Sequence, residues 1–281
     1  MADRIGLYNT TGSSFFLRND LASGIADTIF GFGAAPSTST ALTGDWDGVG
    51  ADGVGLYNPA TGTFFLSNGL TQATVNTGVT TLQFGPATSD IIPLVGDWDG
   101  NGTDTVGLYR VSDGVFFLSN GTTQATVNTG VSTIQFGPAG TDIIPLVGDW
   151  DSNGTDTVGL YRVSDGAFFL SNGTTQATVN TGVTSFLFGA PGAGIKPLVG
   201  DWDGNGSDTV GLYNSSNGAF FTTNGNTQAT VNTGVTSFFF GPGGTDWNPL
   251  VGEWVAPPPA FTLTAASTSV NEGGSLTFTV T

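Results

Sequence analysis

Aspartates recur in this sequence at a spacing that could wrap the chain around a cation. In the loop 97–104, oxygen-bearing side chains stand at positions one, three, five and eight, as Asp97, Asp99, Asn101 and Asp104. Such oxygens are the ligands that Ca²⁺ prefers, and the intervening glycines permit a tight turn. Equivalent sets are Asp149, Asp151, Asn153 and Asp156, then Asp201, Asp203, Asn205 and Asp208, and, with Val49 in place of the Asn, Asp45, Asp47 and Asp52. The pattern predicts calcium-binding loops.

Two other interpretations of these loops stay open at this point. They can be plain turns, because Asp caps backbone N–H groups and Asn and Gly tolerate left-handed conformation. They can also supply a carboxylate pair for hydrolysis, but a hydrolase needs one special site and these copies are nearly identical. Against plain turns, 12 of the 22 acids lie in four loops, a crowding that a counter-ion would relieve. Calcium or no cofactor is therefore expected.

The composition excludes most other site chemistry. The chain has no Cys and no His, which removes thiolate nucleophiles, disulfides and imidazole bases. Its net charge of −17 repels phosphate backbones and anionic lipids, so neither nucleic acid nor a membrane is an expected partner. No apolar run approaches the roughly 20 residues that span a bilayer. The N-terminus shows no leader pattern, so any export signal is expected outside this chain.

The acidic loops belong to a fivefold repeat. The motif Gly-Asp-Trp-Asp begins at Gly44, Gly96, Gly148 and Gly200, a constant step of 52 residues, and a worn copy starts at Gly252. Gly-Leu-Tyr motifs and pairs of Phe residues keep the same period, apart from three residues missing after the first Phe pair. Self-similarity of this regularity indicates stacked supersecondary units.

Each repeat predicts four short antiparallel strands. In the third copy these are 93–98, 105–110, 115–119 and 132–136, rich in β-branched and aromatic residues and bounded by Gly, Asn or Asp. Asn120-Gly121 is typical of a type I′ hairpin, so residues 122–127 could add a fifth short strand. The chain begins inside a unit at residues 3–8 and leaves a solitary strand at 249–254. We therefore expect an all-β, five-bladed β-propeller over residues 1–255, closed by the last strand beside the first partial blade.

The aromatic residues of the repeat allow two interpretations. One Trp per acidic loop and one Tyr per Gly-Leu-Tyr motif could stack on sugars. The same rings could instead seal the contacts between blades, where large side chains bury the most area, and packing is favoured. The Phe pairs alternate on one strand, so one ring of each pair is expected in the core.

The C-terminal residues differ in kind from the repeat. Residues 256–260 contain three consecutive prolines and predict a stiff linker. Residues 261–281 alternate like strands around a turn at 271–274, too little for an independent domain. They predict the cut-off start of another module.

With these motifs in view, the chain resembles the bacterial FG-GAP/VCBS-like propeller repeats, relatives of integrin-α-like propellers. The match covers residues 3–254 and rests on the Gly-Asp-Trp-Asp loop, the Gly-Leu-Tyr strand, the Phe pair and a Phe-Gly ending. The resemblance implies a secreted or surface protein with Ca²⁺ held between the first two strands of a blade. At loop position nine the related loops carry Asp, whereas this chain has Gly53, Thr105, Thr157 and Thr209. Residues 268–280 resemble the opening of a Calx-β domain.

These observations predict a non-catalytic module for binding, adhesion or structural display, outside the cell or on its surface. The expected partner is a surface glycan or a protein, and the propeller is expected to be a monomeric part of a larger multidomain chain. The alternative function is a multivalent lectin with one sugar site between each pair of blades, because an aromatic set recurs in every repeat. The sequence does not identify the ligand.

Overall fold

A computed structural model describes residues 1–35, 37–254, 263–265 and 278–280. The described residues form five four-stranded antiparallel sheets and one separate two-stranded pair. The described part of the chain contains no helix of the length and hydropathy that crossing a bilayer requires. The chain is all-β, as predicted.

The four strands of each sheet occupy equivalent places from the axis outward. The innermost strands are β4 (Thr40–Gly44), β8 (Ile91–Gly96), β12 (Ile143–Gly148), β16 (Ile195–Gly200) and β20 (Trp247–Gly252). The second strands are β1 (Arg4–Asn9), β5 (Gly53–Asn58), β9 (Thr105–Arg110), β13 (Thr157–Arg162) and β17 (Thr209–Asn214). The third strands are β2 (Ser14–Arg18), β6 (Thr63–Ser67), β10 (Val115–Leu118), β14 (Ala167–Leu170) and β18 (Ala219–Thr222). The outer strands are β3 (Thr28–Gly31), β7 (Thr80–Gln83), β11 (Ser132–Gln135), β15 (Thr184–Leu187) and β19 (Thr236–Phe239).

The sheets are the blades of a five-bladed propeller. Blades 2 to 5 are the consecutive quartets that start at β4, β8, β12 and β16, and blade 1 is β20, β1, β2 and β3. The inner strands contact one another in the cyclic order β4, β8, β12, β16, β20 and back to β4. In blade 1, β20 pairs antiparallel with β1, with Gly252 opposite Arg4 and Pro249 opposite Leu7. The predicted closure of the ring is confirmed.

The hydrophobic core lies between neighbouring blades. Each seam holds one cluster, which joins the Tyr and Phe rings of one blade to Leu and to Val or Ile side chains of the next. The Tyr of the second strand and the first Phe of the third strand have no exposed surface in any blade, and their ring centroids lie 4.7–4.8 Å apart. The packing interpretation of these rings is confirmed, and Tyr as a sugar platform is wrong because no ligand can reach it.

The segment after the third strand corrects one alternative. Residues 122–129 form a helical turn rather than a fifth strand, with the Val127 N–H donating to the Thr123 carbonyl at 2.8 Å. Gly121 lacks the positive φ that a type I′ hairpin requires. The turn instead presents Gln124, whose side-chain amide hydrogen-bonds Gln83 N and O on the outer strand of the preceding blade. Gln72, Gln176 and Gln228 do the same for the blades before them. These amides cover sheet edges that would otherwise be open to pairing.

Strand ends are shifted from the prediction in the inner strands. β8 covers Ile91–Gly96 rather than 93–98, and β20 ends at Gly252 rather than 254. The reason is that the chain leaves the sheet at the residue after Gly, where the backbone turns into the acidic loop. The other strands of the third copy match the prediction to within one residue.

The C-terminal strands form a pair of their own. β21 (Leu263–Ala265) and β22 (Phe278–Val280) are antiparallel, with Thr264 opposite Thr279. The predicted linker at 256–260 and the predicted turn at 271–274 lie outside the described residues.

Candidate functional site

Five carboxylates line one end of the central channel. They are Asp3, Asp52, Asp104, Asp156 and Asp208, one directly before the second strand of each blade. The inner strands form the wall beside them, and the channel end lined by this carboxylate ring contains no Lys or Arg. We refer to this side of the propeller as the acidic end.

Each ring carboxylate clamps its blade to the preceding blade. The Asp104 backbone N–H donates to the Asp45 carbonyl at 2.8 Å, and the Asp45 N–H donates back to Asp104 Oδ2 at 2.8 Å. The same reciprocal pair joins Asp156 to Asp97, Asp208 to Asp149, and Asp3 to Asp201. The fifth pair, between Asp52 and Glu253, closes the circle across the two ends of the repeat. The blades are therefore joined by a ring of equivalent polar contacts at the axis.

The glycine of each Gly-Asp-Trp-Asp motif makes room for this clamp. A Cβ on Gly44 would lie 2.9 Å from Asp104 Oδ2, 2.8 Å from Val95 Cγ1 and 2.9 Å from the ring of Trp46. Real Cβ atoms do not approach other atoms so closely, so a side chain here would displace the carboxylate or the inner strand. Gly96, Gly148, Gly200 and Gly252 are crowded in the same way. The glycine is thus needed for close approach rather than for a turn.

Burial raises the pKa of every carboxyl group in the ring. The pKa of Asp3 rises to about 6, that of Asp104 to about 7 and that of Asp208 to about 8. The pKa values of Asp52 and Asp156 also lie well above the usual range. Desolvation is the largest cause in each case, and the charges of neighbouring acidic side chains add to it, while the clamp N–H donors oppose it. Part of the ring is therefore protonated near neutral pH.

The remaining loop positions cap the loop itself. Asp45 accepts backbone N–H groups from Gly48, Val49 and Gly50. Asp97, Asp149 and Asp201 likewise accept from the residues four and five positions later. At position five, Asn101, Asn153 and Asn205 each accept the N–H two residues on at 2.8 Å. The position-three residues Asp47, Asp99, Asp151 and Asp203 are exposed. These are the hydrogen bonds of self-capped turns.

The predicted ligand sets do not converge on one cation. Within a loop, positions one and five serve the loop backbone, whereas the carboxylate at position eight hydrogen-bonds the preceding blade. Among the described residues, no three acidic side chains are placed to hold one metal ion together. Calcium binding by these loops stays a prediction for measurement.

Sequence reasoning missed the carboxylate ring because it grouped residues by loop. It placed Asp52, Asp104, Asp156 and Asp208 with their own loops and did not group Asp3 with them. The available signal was the constant 52-residue step between the position-eight aspartates, which in a closed ring places equivalent residues around one axis.

The loop Trp residues seal the seams. The indole N–H of Trp202 donates to Val210 O, and that of Trp254 donates to Ile5 O, both at 3.2 Å. Trp150, Trp202 and Trp254 are buried, and Trp46 and Trp98 are partly buried. The niches beside Trp46 and Trp98 have volumes of about 30 and 40 Å³, room for water but well below the several hundred Å³ of a ligand pocket.

The resemblance to FG-GAP/VCBS-like and Calx-β repeats therefore remains a prediction. No protein-family model, curated protein or solved structure matches the chain.

Proposed function

We propose that the propeller is a non-catalytic binding or display module that works outside the cell. One observation carries this proposal: the aspartates with the spacing for chemistry are used equivalently in every blade, as clamps or as loop caps. A carboxylate-pair hydrolase needs two carboxyl groups in distinct environments, so that one acts as the acid and the other as the base. Fivefold equivalence supports a scaffold instead.

The clamp ring also supports a scaffold that holds its shape without calcium. Adjacent blades are joined by hydrogen bonds within the protein, and the loop carboxylates already accept N–H groups. A calorimetric melt in EDTA, in millimolar Ca²⁺ and in millimolar Mg²⁺ tests this. We expect Ca²⁺ to shift Tm no more than Mg²⁺ does, since binding to the native state alone would raise Tm. A calcium-specific rise would contradict this part of the proposal and return the loops to their predicted role.

The binding function itself is tested by applying the propeller, in a multivalent form of high density, to an array of glycans and extracellular proteins. We expect at least one ligand to bind saturably. Mass spectrometry of the recovered ligand should show that it is chemically unchanged. Failure to bind any of them, or conversion of a bound glycan, would overturn the proposal. The variant Asp104→Asn, which keeps an acceptor in the clamp, is the control and should bind equally well.

The lectin alternative is favoured at one seam rather than at all five. The seams beside Trp46 and Trp98 are closed to a sugar by their volumes, but a cleft of about 380 Å³ opens between blades 1 and 2. This size lies within the range of small-molecule sites.

A further inference from the structure

We propose that the cleft between blades 1 and 2 binds a single neutral sugar ring. This inference rests on the proposed binding function and assigns it a place and a ligand class. The cleft lies beside residues 32–34 and 37–39, which come between outer strand β3 and inner strand β4 in the sequence. Its apolar side includes Phe32, Leu56 and Phe65, and its polar rim includes Asn58 and Asn76.

Pro59 opens this cleft. In blade 3 the equivalent Val111 donates its N–H to the Asp90 carbonyl at 2.9 Å, which extends the pairing of β8 with β9. Proline has no backbone N–H, so blade 2 cannot make this bond. Accordingly β4 begins at Thr40, one residue later than its equivalents.

Two further substitutions remove the contacts that fasten the segment before the inner strand in blade 3. There, Ser112 donates from both its N–H and its hydroxyl to the Asp90 carboxylate, at 2.9 and 2.6 Å. Blade 2 has Ala60 in place of Ser112, without its hydroxyl group, and Thr38 in place of Asp90, without its carboxylate. Blade 4 repeats the blade 3 arrangement with Ser164 and Asp142. The opening is thus specific to blade 2 in comparison with blades 3 and 4.

The aromatic side of the cleft is uncovered for a related reason. In blades 3 and 4 an arginine lies over the second Phe of the pair, with Arg110 4.9 Å from the ring centre of Phe117 and Arg162 5.1 Å from that of Phe169. Blade 2 has the shorter Asn58 in place of the arginine, and Phe65 lines the cleft half-buried. A flat apolar ring face is what the apolar face of a pyranose stacks on.

The rim supplies amides for hydroxyl groups. Asn58 Oδ1 accepts the Ala60 N–H at 2.9 Å, which leaves its NH₂ group to donate. Asn128, Asn180 and Asn232, the equivalents of Asn76, donate to the outer strand of the preceding blade. Asn76 instead lines the cleft, where both of its polar atoms can meet a ligand.

The charge of the lining sets the ligand class. None of the described residues that line the cleft is Asp, Glu, Lys or Arg, in a chain with 22 acids. An ionic ligand would find no counter-charge there, and a purely apolar one would leave the amides unpaired. A neutral ring with hydroxyl groups on its rim and an apolar face satisfies both sides.

The experiment mixes the full chain with the neutral methyl glycosides of glucose, galactose, mannose and N-acetylglucosamine, one at a time. Saturation-transfer NMR detects binding, and titration measures the affinity. We expect one of them to bind saturably. Phe65→Ala should weaken its binding by about three- to tenfold, because an aromatic contact is lost. Phe117→Ala removes the same residue beneath Arg110 in blade 3 and should leave the affinity unchanged.

A second variant closes the cleft with the residues of blade 3. Thr38→Asp, Asn58→Arg, Pro59→Val and Ala60→Ser together should abolish glycoside binding while the melt stays cooperative. Asn76→Ala changes an exposed side chain, so it should weaken binding without affecting folding.

Glycoside binding that survives the closing variant and Asn76→Ala would overturn the cleft assignment while leaving the proposed binding function intact. Failure of every neutral glycoside would overturn the assignment too, and the array described above decides the binding function separately. A glucuronide or a proline-rich peptide that binds in the cleft in place of the neutral glycosides would overturn the ligand class.

Discussion

The acidic end of the propeller and the opposite end differ in how similar the five blades are to one another there. At the acidic end, all five blades place an aspartate in the channel and clamp it to the preceding blade. At the opposite end, the equivalent first channel positions of the inner strands hold Thr40, Ile92, Ile144, Lys196 and Asn248. Of these five residues Lys196 is basic, and its Nζ donates to Asn248 Oδ1 at 2.7 Å.

This difference separates the two tasks of a repeat protein. Blades must join identically at every seam for the ring to close, so the clamp residues cannot vary independently. The opposite end carries no such constraint, and there blade 2 has lost the contacts that fasten blades 3 and 4. We therefore place stability at the acidic end and ligand choice at the opposite end.

The largest expected effect comes from filling the clamp glycine. Gly148→Ala would put a Cβ 2.8 Å from Val199 Cγ1 and 2.9 Å from Asp208 Oδ2. We expect a loss of about 1–3 kcal/mol in the free energy of unfolding, measured by urea denaturation. The control Gly192→Ala lies outside the clamp, with its nearest neighbour at 3.9 Å, and should change stability by less than about 0.5 kcal/mol. Equal effects of the two variants would contradict a special role for the acidic end.

Removal of one clamp carboxylate should follow in size. Asp104→Ala leaves the Asp45 N–H without its acceptor, which we expect to cost about 1–3 kcal/mol of unfolding free energy. Asp104→Asn keeps an oxygen acceptor without the charge that burial disfavours, so at pH 8 it should be at least as stable as the unchanged protein. Urea denaturation at pH 8 ranks the three proteins, and a less stable Asn variant would show that the clamp needs the charge.

The pH dependence of stability sharpens the comparison further. The folded pKa values of Asp3, Asp104 and Asp208, about 6, 7 and 8, lie above the ordinary value of 3.8. Protonation therefore favours the folded state, and this stabilisation is lost as the pH rises from the ordinary value of 3.8 to the folded values of about 6, 7 and 8. We expect the unfolding free energy to be at least about 1 kcal/mol lower at pH 8.5 than at pH 5. The double variant Asp104→Asn, Asp208→Asn should flatten the profile, and an unchanged profile would locate the titration elsewhere.

The smallest expected effect lies at the opposite end. Arg110→Asn imitates blade 2 by uncovering Phe117 and removing the ion pair with Asp113. We expect a smaller loss of unfolding free energy than for Gly148→Ala or Asp104→Ala, because both contacts are exposed to solvent. Thermal melts check this, and a loss as large as that of Gly148→Ala would remove the distinction between the two ends.

The sequence alone determined the architecture of this protein. The repeat has a nearly constant length, four strand signals per unit, and an incomplete unit at each of its two ends. These features permit few arrangements other than a closed five-bladed ring, because an open one would leave inner edges unpaired. The sequence also identified the Phe residues of the core, since alternation along a strand sends one ring of each pair inward.

Only the tertiary structure decided which groups the aspartates hydrogen-bond and where a cleft opens between blades. Position-eight carboxylates and position-one backbones belong to different blades, 59 residues apart, so no local pattern shows that they meet. Likewise, Pro59 and Thr38 look like ordinary turn residues until blade 2 is compared with blade 3 in space. Contacts between blades depend on how the units stack, and a repeat motif read along the chain does not contain that information.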